Sequence, residues 1–331
     1  MYKNILIYNS GGGLGDSIQL FPLVITLKNA FKGSQLFYLG AHDNHFKNKL
    51  KDYNLSLITL NLGLKYFGFR WWHLFSVRKI IREKKIAKFD LIIDLQSKLR
   101  NTIILKQIPC KFFYSSTFNF IFSSNRKKIL LIKKLDNDFY GVESTIDNLK
   151  KILNYNFETF GFSKLSISKK YYDEAKKLLP KSNYIGFSVT QGNVYRKKSW
   201  KINNFIDLAN RCISAGKKVV FFIEKTEVEL INHIKNKIPS SLFPELLSKI
   251  SSPALVTALA SRLEKAITID NGIMHMMDLA DIPMVVLFGP TNSRKFAPKK
   301  RRVIILDSKK MYDSKDINKI TVNDVANKIG I

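Results

Sequence analysis

The sequence has few cysteines, few acidic residues and no long apolar run, and each shortage excludes a class of protein. Its two cysteines, Cys110 and Cys212, lie in unrelated contexts, which argues against a disulfide framework and against a zinc site. No window approaches about 18 uncharged apolar residues, the length that a membrane-spanning helix needs. The first apolar run starts too early for a signal peptide. We therefore expect a cytoplasmic protein without a membrane span.

Acidic residues are outnumbered by basic ones, 26 against 55, which gives the 331-residue chain a formal charge of +29. A field of this sign favours anionic partners such as nucleic acid, anionic lipid headgroups or phosphorylated substrates. Only 11 of the basic residues are arginine, the residue that proteins favour for reading bases and phosphates. The high charge therefore reflects either a drift in amino-acid composition, without a specific partner, or peripheral attachment to the inner face of the cytoplasmic membrane. Both interpretations are favoured over nucleic-acid binding.

Short apolar runs alternate with amphipathic stretches of helical length along most of the chain. Many of the runs are uninterrupted, as in parallel strands that are covered on both faces. The alternation predicts an α/β fold with doubly wound parallel sheets. It pauses between about residues 112 and 164, which predicts two domains of similar size, 1–165 and 166–331, with a ligand cleft between them. The predicted strands are 4–8, 35–39, 57–60, 91–95, 111–114, 184–189, 218–223, 266–270, 284–288 and 303–306; the predicted helices are 17–31, 78–85, 142–153, 169–179, 202–214, 253–263, 273–280 and 318–329.

A glycine-rich segment, NSGGGLGDSIQLFP at residues 9–22, follows the first predicted strand. The dinucleotide-binding fingerprint G-x-G-x-x-G needs a third glycine, but the pattern that starts at Gly11 has Asp16 in that place. A carboxylate there would repel a diphosphate. The segment thus argues against NAD binding and leaves two interpretations of Asp16: a simple helix N-cap, or an acid that a flexible loop presents to a ligand.

The stretch ITIDNGIMHMMDLADIPMVVLFGPTN, residues 267–292, holds two predicted strands that both end in small polar residues. The first ends at Asp270 and leads into a helix that contains His275, and the second leads into residues 289–291. Backbone N–H groups at the start of that helix form a natural site for a nucleotide diphosphate. The stretch therefore predicts a nucleotide site at the carboxyl ends of two neighbouring strands.

This stretch resembles the donor-site signature of glycosyltransferase family 9, the heptosyltransferases, which has Asp-Ser/Thr-Gly-x-x-His followed, after a strand, by Phe/Tyr-Gly-Pro-Thr. Three further segments resemble the family. GLGDSIQLFP is similar to its N-terminal Gly-Asp segment, FDLIIDLQ to its Tyr-Asp-x-x-Ile-Asp-Leu-Gln strand, and KKSWKINNFIDLAN to its Lys-x-Trp-Pro segment. Four motifs in the same order, from residue 4 to about residue 292, are more specific than any one of them.

The resemblance implies a GT-B fold, in which two Rossmann-like domains face a cleft. Residues 1–165 would bind the acceptor and residues 166–331 the donor. The implied reaction is an inverting, metal-independent transfer of a sugar from a nucleotide-diphosphate donor to a lipopolysaccharide core or related cell-envelope acceptor, without a cofactor. ADP-heptose is the family's default donor. The expected partners are this nucleotide sugar, a phosphorylated glycolipid and the membrane surface, and nucleic acid is not expected.

Carried over residue by residue, the resemblance makes Asp16 the general base that deprotonates the acceptor hydroxyl, on a loop with Gly13 and Gly15. Lys198 would neutralise the departing diphosphate, and Asp270 would contact hydroxyls of the donor sugar. Glu224 would bind the nucleoside ribose. The full implied donor-binding set is Thr190, Lys198, Glu224, Asp270, Asn271, Gly272, His275, Gly289, Pro290 and Thr291.

Several of these residues have alternatives. Arg196, Lys197 and Lys201 lie beside Lys198, and each of the four residues also fits a solvated surface charge. Glu227 competes with Glu224 for the ribose, and His275 also fits a core histidine bonded to a carbonyl group.

The sequence departs from the family pattern at three places. Asn271 replaces the usual Ser or Thr, Lys201 stands where the family prefers Pro, and TQGNVYRKKSW differs from the usual stretch before the lysine. The departures surround the donor, so they bear on the donor sugar more than on the reaction type.

The segment YFGFRWWHLFSVRKIIREKK, residues 66–85, interleaves aromatic with basic residues. Such segments lie in membrane interfaces and bind anionic lipid. The alternative is a loop and helix whose Trp71 and Trp72 pack on the core.

Three other functions are consistent with parts of the sequence. A Rossmann oxidoreductase would require nicotinamide binding, and a basic nucleic-acid-binding protein would bind with a steep salt dependence. The third is a catalytically idle relative of the transferases, against which the presence of Asp16 argues.

Overall fold

The computed structural model describes residues 2–40, 42–96, 98–130, 142–160, 165–181, 183–192, 195 and 197–331. They form two compact units, Met1–Ser166 and Ile167–Ile331. Each unit contains one five-stranded sheet whose strand pairs are all parallel. This confirms the predicted α/β class with two parallel sheets.

The first unit has the strand order β3-β2-β1-β4-β5. The chain runs from the central strand β1 to one edge of the sheet and then returns to place β4 on the other side of β1. The loops after β1 and β4 therefore diverge at a topological switch point, the position where ligands bind in doubly wound sheets. The strands are β1 Asn4–Tyr8, β2 Gln35–Leu39, β3 Ile58–Thr59, β4 Phe89–Asp94 and β5 Cys110–Ser115; the helices are α1 Leu14–Ile18, α2 Phe21–Ala30, α3 His73–Glu83, α4 Leu99–Leu105, α5 Arg126–Leu130 and α6 Val142–Leu153.

The second unit has the strand order β10-β9-β8-β6-β7, so its corresponding divergence lies between β6 and β8. The strands are β6 Tyr184–Ser188, β7 Lys218–Phe222, β8 Leu263–Ile269, β9 Met284–Phe288 and β10 Val303–Asp307. The helices are α7 Lys169–Leu178, α8 Ile202–Ser214, α9 Val228–Lys237, α10 Pro244–Leu247, α11 Pro253–Ala260, α12 Gly272–Leu279, α13 Ser293–Phe296, α14 Ser308–Tyr312 and α15 Val322–Ile329.

The central strands of both sheets are largely buried, and they are rich in apolar residues. In the first unit Leu6 and Ile92 are fully buried in the core, and in the second unit Phe187 and Val285 are fully buried. Strands covered on both faces need apolar residues at successive positions, which explains the uninterrupted runs of the sequence. All ten predicted strands are present, with ends that shift by at most a few residues.

The predicted helix 17–31 is wrong in its extent, because the structure has two helices there. The second helix begins at Phe21 with Leu20 as its N-cap, and Pro22 occupies its first turn. Proline lacks the N–H that would continue a helix from Ile18, but it is well tolerated in a first turn. The proline therefore separates α1 from α2.

Candidate functional site

The loop after β1 is held by side chains that follow β1 and β4, the two strands at the switch point of the first sheet. Asn9 Oδ1 accepts hydrogen bonds from the Gly11 backbone N–H, at 3.0 Å, and from Gln96 Nε2, at 2.7 Å. Gln96 follows β4, so this contact joins the loops that leave β1 and β4. The start of the glycine loop, where it leaves β1, is therefore held by hydrogen bonds.

Asp16 lies in the first turn of α1 and is half-buried. Its Oδ2 accepts a hydrogen bond from the Gly13 backbone N–H at 3.1 Å. The helix N-cap is Gly13, so the simple N-cap interpretation of Asp16 is wrong, although its carboxylate does satisfy a backbone donor of this turn. Burial, and then the negative charge of Asp16, raise the pKa of Tyr38 to about 12.

Glycine is required at position 11 by the close approach of Asp16. A Cβ at Gly11 would lie 2.8 Å from both Cβ and Cγ of Asp16. Any larger residue would have to displace the carboxylate or the loop. Gly13 also lies close, since its Cβ would be 3.1 Å from Asp16 Oδ2, whereas Gly15 lies within α1.

Two histidines that no sequence motif predicts contact the same loop. His45 Nε2 donates a hydrogen bond to the Gly12 carbonyl oxygen at 3.2 Å, and a Cβ at Gly12 would lie 2.5 Å from the His42 ring. Both follow β2 in the segment AHDNH. The polar composition of that segment is the one signal in the sequence, and it does not identify what the segment contacts.

A buried carboxylate, Asp94, ends β4. It accepts hydrogen bonds from Thr102 Oγ1 at 2.6 Å, Ser115 Oγ at 2.8 Å and the Gln96 backbone N–H at 3.0 Å. These donors come from α4, β5 and the loop after β4. Asp94 therefore holds the segment that carries Gln96, which in turn holds the glycine loop through Asn9.

In the second unit, Lys198 and Asp270 form an ion pair at the switch point between β6 and β8. Lys198 Nζ lies 2.5 Å from Asp270 Oδ2 and 3.3 Å from the Asp270 carbonyl oxygen. Only 12% of the Lys198 side chain and 7% of the Asp270 side chain are exposed. The backbone of Lys198 is also held, because its N–H donates to Gln191 Oε1 at 2.7 Å.

The basic neighbours of Lys198 are placed differently. Lys197 and Lys201 are exposed, and Lys201 is the N-cap residue of α8. Arg196 lies outside the described residues. Among the described residues of this basic cluster, Lys198 is thus the one whose side chain is buried at the switch point.

Asn271 connects three elements at the same place. Its Oδ1 caps α12 by accepting from the Met274 N–H at 2.8 Å, and its Nδ2 donates to Ser188 Oγ at 2.7 Å and to the Thr190 carbonyl oxygen at 2.8 Å. A Ser or Thr hydroxyl can cap a helix, but it has one hydrogen to donate, not two. The two donations of the amide give a structural reason for Asn271 in place of the usual Ser or Thr. They also place Thr190 beside the start of α12.

The remaining residues of the second signature surround α12 and the loop after β9. Gly272 is the first residue of α12, and His275 is buried on this helix. The loop after β9 is held by Lys309, whose Nζ donates to the Pro290 and Thr291 carbonyl oxygens at 2.8 and 3.0 Å. Because β9 pairs with β8, this loop and α12 begin at the same edge of the sheet.

Gly289 and Thr291 differ in what surrounds them. A Cβ at Gly289 would lie 2.8 Å from Ile317 Cβ, so a close approach of the chain requires glycine there. Thr291 Oγ1 is buried and has no hydrogen-bond partner within the described part of the chain.

Glu224 follows β7 and is exposed, and a second acid, which no sequence motif predicts, lies near it. Glu245 on α10 has a buried Oε2 without a hydrogen-bond partner among the described residues. Burial and the negative charge of Glu224 raise the pKa of Glu245 to about 7, and Lys225 offsets part of this shift. Glu227, the alternative to Glu224, is the N-cap residue of α9, and its side chain makes no capping hydrogen bond.

Metal ligands are not clustered in the residues that the structure describes, since no three His, Cys, Asp or Glu side chains lie together as a metal site requires. Cys110 and Cys212 are both free thiols. Within the same residues, no helix has the length and apolar composition needed to cross a membrane.

Several solved structures are similar in fold to this chain. A family 9 glycosyl transferase of Veillonella parvula is 19% identical, with a TM-score of 0.65 over 99% of this chain and 97% of that one. The E. coli heptosyltransferase WaaC with ADP-2-deoxy-2-fluoro heptose is 15% identical, with a TM-score of 0.64 over 99% of each chain. E. coli ADP-heptose lps heptosyltransferase II is 16% identical, with a TM-score of 0.63 over 99% and 97%.

These similarities confirm the GT-B fold, and a comparison with curated proteins finds no match. A family model, glycosyltransferase family 9 (heptosyltransferase), matches residues 76–326. The matched residues include every predicted donor-binding residue and exclude Asp16. Because the match covers well over half of the chain, the chain belongs to glycosyltransferase family 9 and is a glycosyltransferase.

Proposed function

We propose that this glycosyltransferase moves a heptose from ADP-heptose to a hydroxyl of a lipopolysaccharide core or related cell-envelope glycolipid, with inversion and without a metal. The observation that carries the proposal is the buried Lys198–Asp270 pair beside the start of α12, at the switch point of the second sheet. A cation and a helix N-terminus at one such position suit a nucleotide diphosphate. The E. coli structure with an ADP-heptose analogue supports the choice of donor.

The second unit, about residues 166–331, binds the donor in this proposal. Lys198 turns from Asp270 to the diphosphate and neutralises the charge that develops as the nucleotide leaves. Asp270 is then free to accept hydrogen bonds from hydroxyls of the sugar. Glu224 binds the ribose, and the backbone N–H groups at Gly272 contact the phosphates. Thr190, Asn271, His275, Gly289, Pro290 and Thr291 complete the donor-binding set.

The first unit, about residues 1–165, binds the acceptor, a phosphorylated glycolipid. Asp16 takes the proton of the acceptor hydroxyl while that oxygen attacks the anomeric carbon from the face opposite the diphosphate. The new bond forms as the bond from the anomeric carbon to the phosphate oxygen breaks, so the nucleotide diphosphate leaves and the configuration inverts. Gly13 and Gly15 allow the backbone of this loop to approach the acceptor.

The proposed location follows from the proposed acceptor. A glycolipid acceptor is assembled at a membrane, and the charge of +29 favours anionic surfaces. We therefore place the enzyme in the cytoplasm, peripherally attached to the inner face of the cytoplasmic membrane. The family membership supports this activity over an NAD-dependent oxidoreductase and over a nucleic-acid-binding protein.

The test is release of nucleoside diphosphate from a panel of ADP-, GDP- and UDP-sugars, with a detergent-solubilised lipooligosaccharide extract as acceptor. We expect release from ADP-heptose that requires the acceptor and persists in EDTA. Asp16→Asn should lower kcat at least about a hundredfold. Asp147→Asn, at an exposed acid of the same unit, is the matched control.

Two results would contradict the proposal. No release from any donor, together with binding of NADH or salt-sensitive binding of RNA, would replace it by one of the other two functions. Acceptor-dependent release that Asp16→Asn leaves unchanged would remove Asp16 as the base, while the transfer itself would stand.

A further inference from the structure

Helix α3 has one face in the core of the first unit and one face exposed. His73, Val77 and Ile81, spaced four residues apart, are buried. His73 Nδ1 also accepts a hydrogen bond from the Gly68 N–H at 3.1 Å, which fixes the start of the helix. The inner face is therefore an ordinary packed surface, and the orientation of the helix is set.

Large aromatic side chains are exposed at the start of the helix and just before it. Trp71, Trp72 and Phe75 are 54%, 59% and 70% exposed, so the interpretation that both tryptophans pack on the core is wrong. Tyr66 and Phe69, in the turn before the helix, are also exposed. Contiguous apolar patches of this kind mark interaction sites on soluble proteins, because exposing them to water is unfavourable. We call Trp71, Trp72 and Phe75 the aromatic face.

Basic residues continue the same side of the helix. One and two turns beyond Phe75, Lys79 and Arg82 are exposed, and so is Arg78. Residues 66–85 contain six basic residues and one acid, Glu83. An aromatic end followed by a basic stretch is the arrangement of helices that lie in the interface of an anionic bilayer, with indole rings at headgroup level and cations on the phosphates.

Arg70 covers part of the Trp72 ring and so leaves less of it for base stacking, and the low arginine content of the chain also argues against nucleic acid as the partner. Base stacking requires an uncovered ring face. The Arg70 guanidinium lies 5.4 Å from the centroid of the Trp72 ring, and the His73 ring meets it edge-on with centroids 6.0 Å apart. A tryptophan with an arginine on its ring suits a headgroup layer, where the cation binds phosphate and the ring remains in the interface.

We propose that the aromatic face and the basic side chains of Lys79 and Arg82 dock the first unit on a bilayer that contains anionic lipid. The inference rests on the proposed function only for the presence of a membrane near the substrate, and it names the surface that makes the contact. It is tested without donor or acceptor, so failure of the docking surface and failure of the glycosyl transfer are separate results.

The binding experiment is sedimentation of the whole protein with vesicles of phosphatidylglycerol and phosphatidylethanolamine, and with vesicles of phosphatidylcholine alone. We expect binding to the anionic vesicles that Trp71→Ser/Trp72→Ser/Phe75→Ser weakens about a hundredfold. Lys79→Gln/Arg82→Gln should weaken it about tenfold and make it less sensitive to salt. The matched control is Tyr172→Ser/Met311→Ser, which removes exposed apolar side chains of the second unit.

A spectroscopic readout is available because the chain has three tryptophans. Trp200 is 2% exposed and donates to the Ile320 carbonyl oxygen at 2.8 Å, so vesicles cannot reach it. A blue shift on addition of anionic vesicles therefore reports Trp71 and Trp72. In the triple variant, Trp200 is the remaining tryptophan, and its unchanged emission shows that the second unit is folded. A far-UV circular dichroism spectrum equal to that of the unmodified chain shows that the first unit is folded as well.

The proposal is overturned if the triple variant binds anionic vesicles as tightly as the unmodified chain while the tryptophan emission stays constant. It is equally overturned if the protein binds a single-stranded RNA and no vesicle. Loss of vesicle binding in the triple variant, with binding retained in the control, supports it.

Discussion

Lys198, in the segment between β6 and α8, forms a buried ion pair with Asp270, which directly follows β8. Each is the other's counter-charge in the absence of a ligand. Breaking a buried pair leaves an uncompensated charge, which costs about 3–5 kcal/mol. Lys198→Met should therefore destabilise the second unit by about 3 kcal/mol and abolish turnover of the donor.

The double variant Lys198→Met/Asp270→Leu separates these two effects. Replacing both partners by apolar residues of similar volume is commonly neutral or stabilising, so most of the lost stability should return. Turnover should not return, because the cation for the diphosphate is still absent. Urea unfolding and nucleotide release are the two measurements. Recovery of turnover in the double variant would show that Lys198 acts only through the stability of the pair.

Asn271→Ser tests the three hydrogen bonds of this amide. Serine retains a cap for α12, but its single hydroxyl hydrogen cannot replace both donations, to Ser188 and to the Thr190 carbonyl oxygen. We expect a loss of about 1–2 kcal/mol in the free energy of unfolding, since partly buried acceptors lose their donors. The matched control is Asn292→Ser, at an exposed N-cap whose side chain makes no capping hydrogen bond. Equal effects of the two substitutions would contradict the connecting role of Asn271.

Gly11→Ala tests the packing of the loop against Asp16. The added Cβ would lie 2.8 Å from Asp16 Cβ and Cγ, so the carboxylate must move. A displacement of about 1 Å at a catalytic group lowers rates by about a hundredfold, so we expect a fall of this size in kcat with KM for the donor unchanged. Gly192→Ala is the control, because a Cβ there meets nothing within 4 Å. A fully active Gly11→Ala enzyme would mean that the loop adapts without moving the base.

Glu245 gives a prediction about pH. Its pKa is raised from 4.5 to about 7, so the folded chain holds a proton on this carboxyl that the unfolded chain has released. The stability that it contributes is therefore greatest below about pH 4.5 and falls as the pH rises towards 7. Glu245→Gln removes this dependence. The variant should exceed the unmodified chain in stability at pH 8 by up to about 3 kcal/mol, and by little at pH 5.

The measurement is urea unfolding at the two pH values. Glu229→Gln, at an exposed acid on α9, is the control substitution. If the free energies of unfolding of Glu245→Gln and the unmodified chain differ by the same amount at pH 5 and pH 8, the raised pKa of Glu245 is contradicted.

The fold was largely predictable because parallel strands need continuous apolar runs, such as VVLF within β9. Helices were less predictable. Helix α4, with sequence LRNTIIL, has β-branched residues in its interior and was missed, because its packing against the sheet outweighs its weak helix propensity.

The motifs identified Asp16 and the segment that contains Asp270, but they did not identify what these residues contact. Strand order brings β6 beside β8 and so places Lys198 against Asp270, and strand order is not written in local sequence. The same holds for His45, which reaches the Gly12 carbonyl oxygen from the loop after β2. Contacts that depend on pairing between distant segments therefore required the structure.

The strand pairs that create the two switch points are also the pairs most distant along the chain. Ile5 pairs with Leu91 in the first sheet, and Ile185 pairs with Lys265 in the second, whereas the other pairs in each sheet join segments that are nearer in sequence. Pairing distant segments closes the longest loops and is entropically the most costly. A folding chain can thus form its local β-α-β units, such as β1-α2-β2 and β8-α12-β9, before either site exists. In each unit, we expect folding to assemble the site with the last strand pairing.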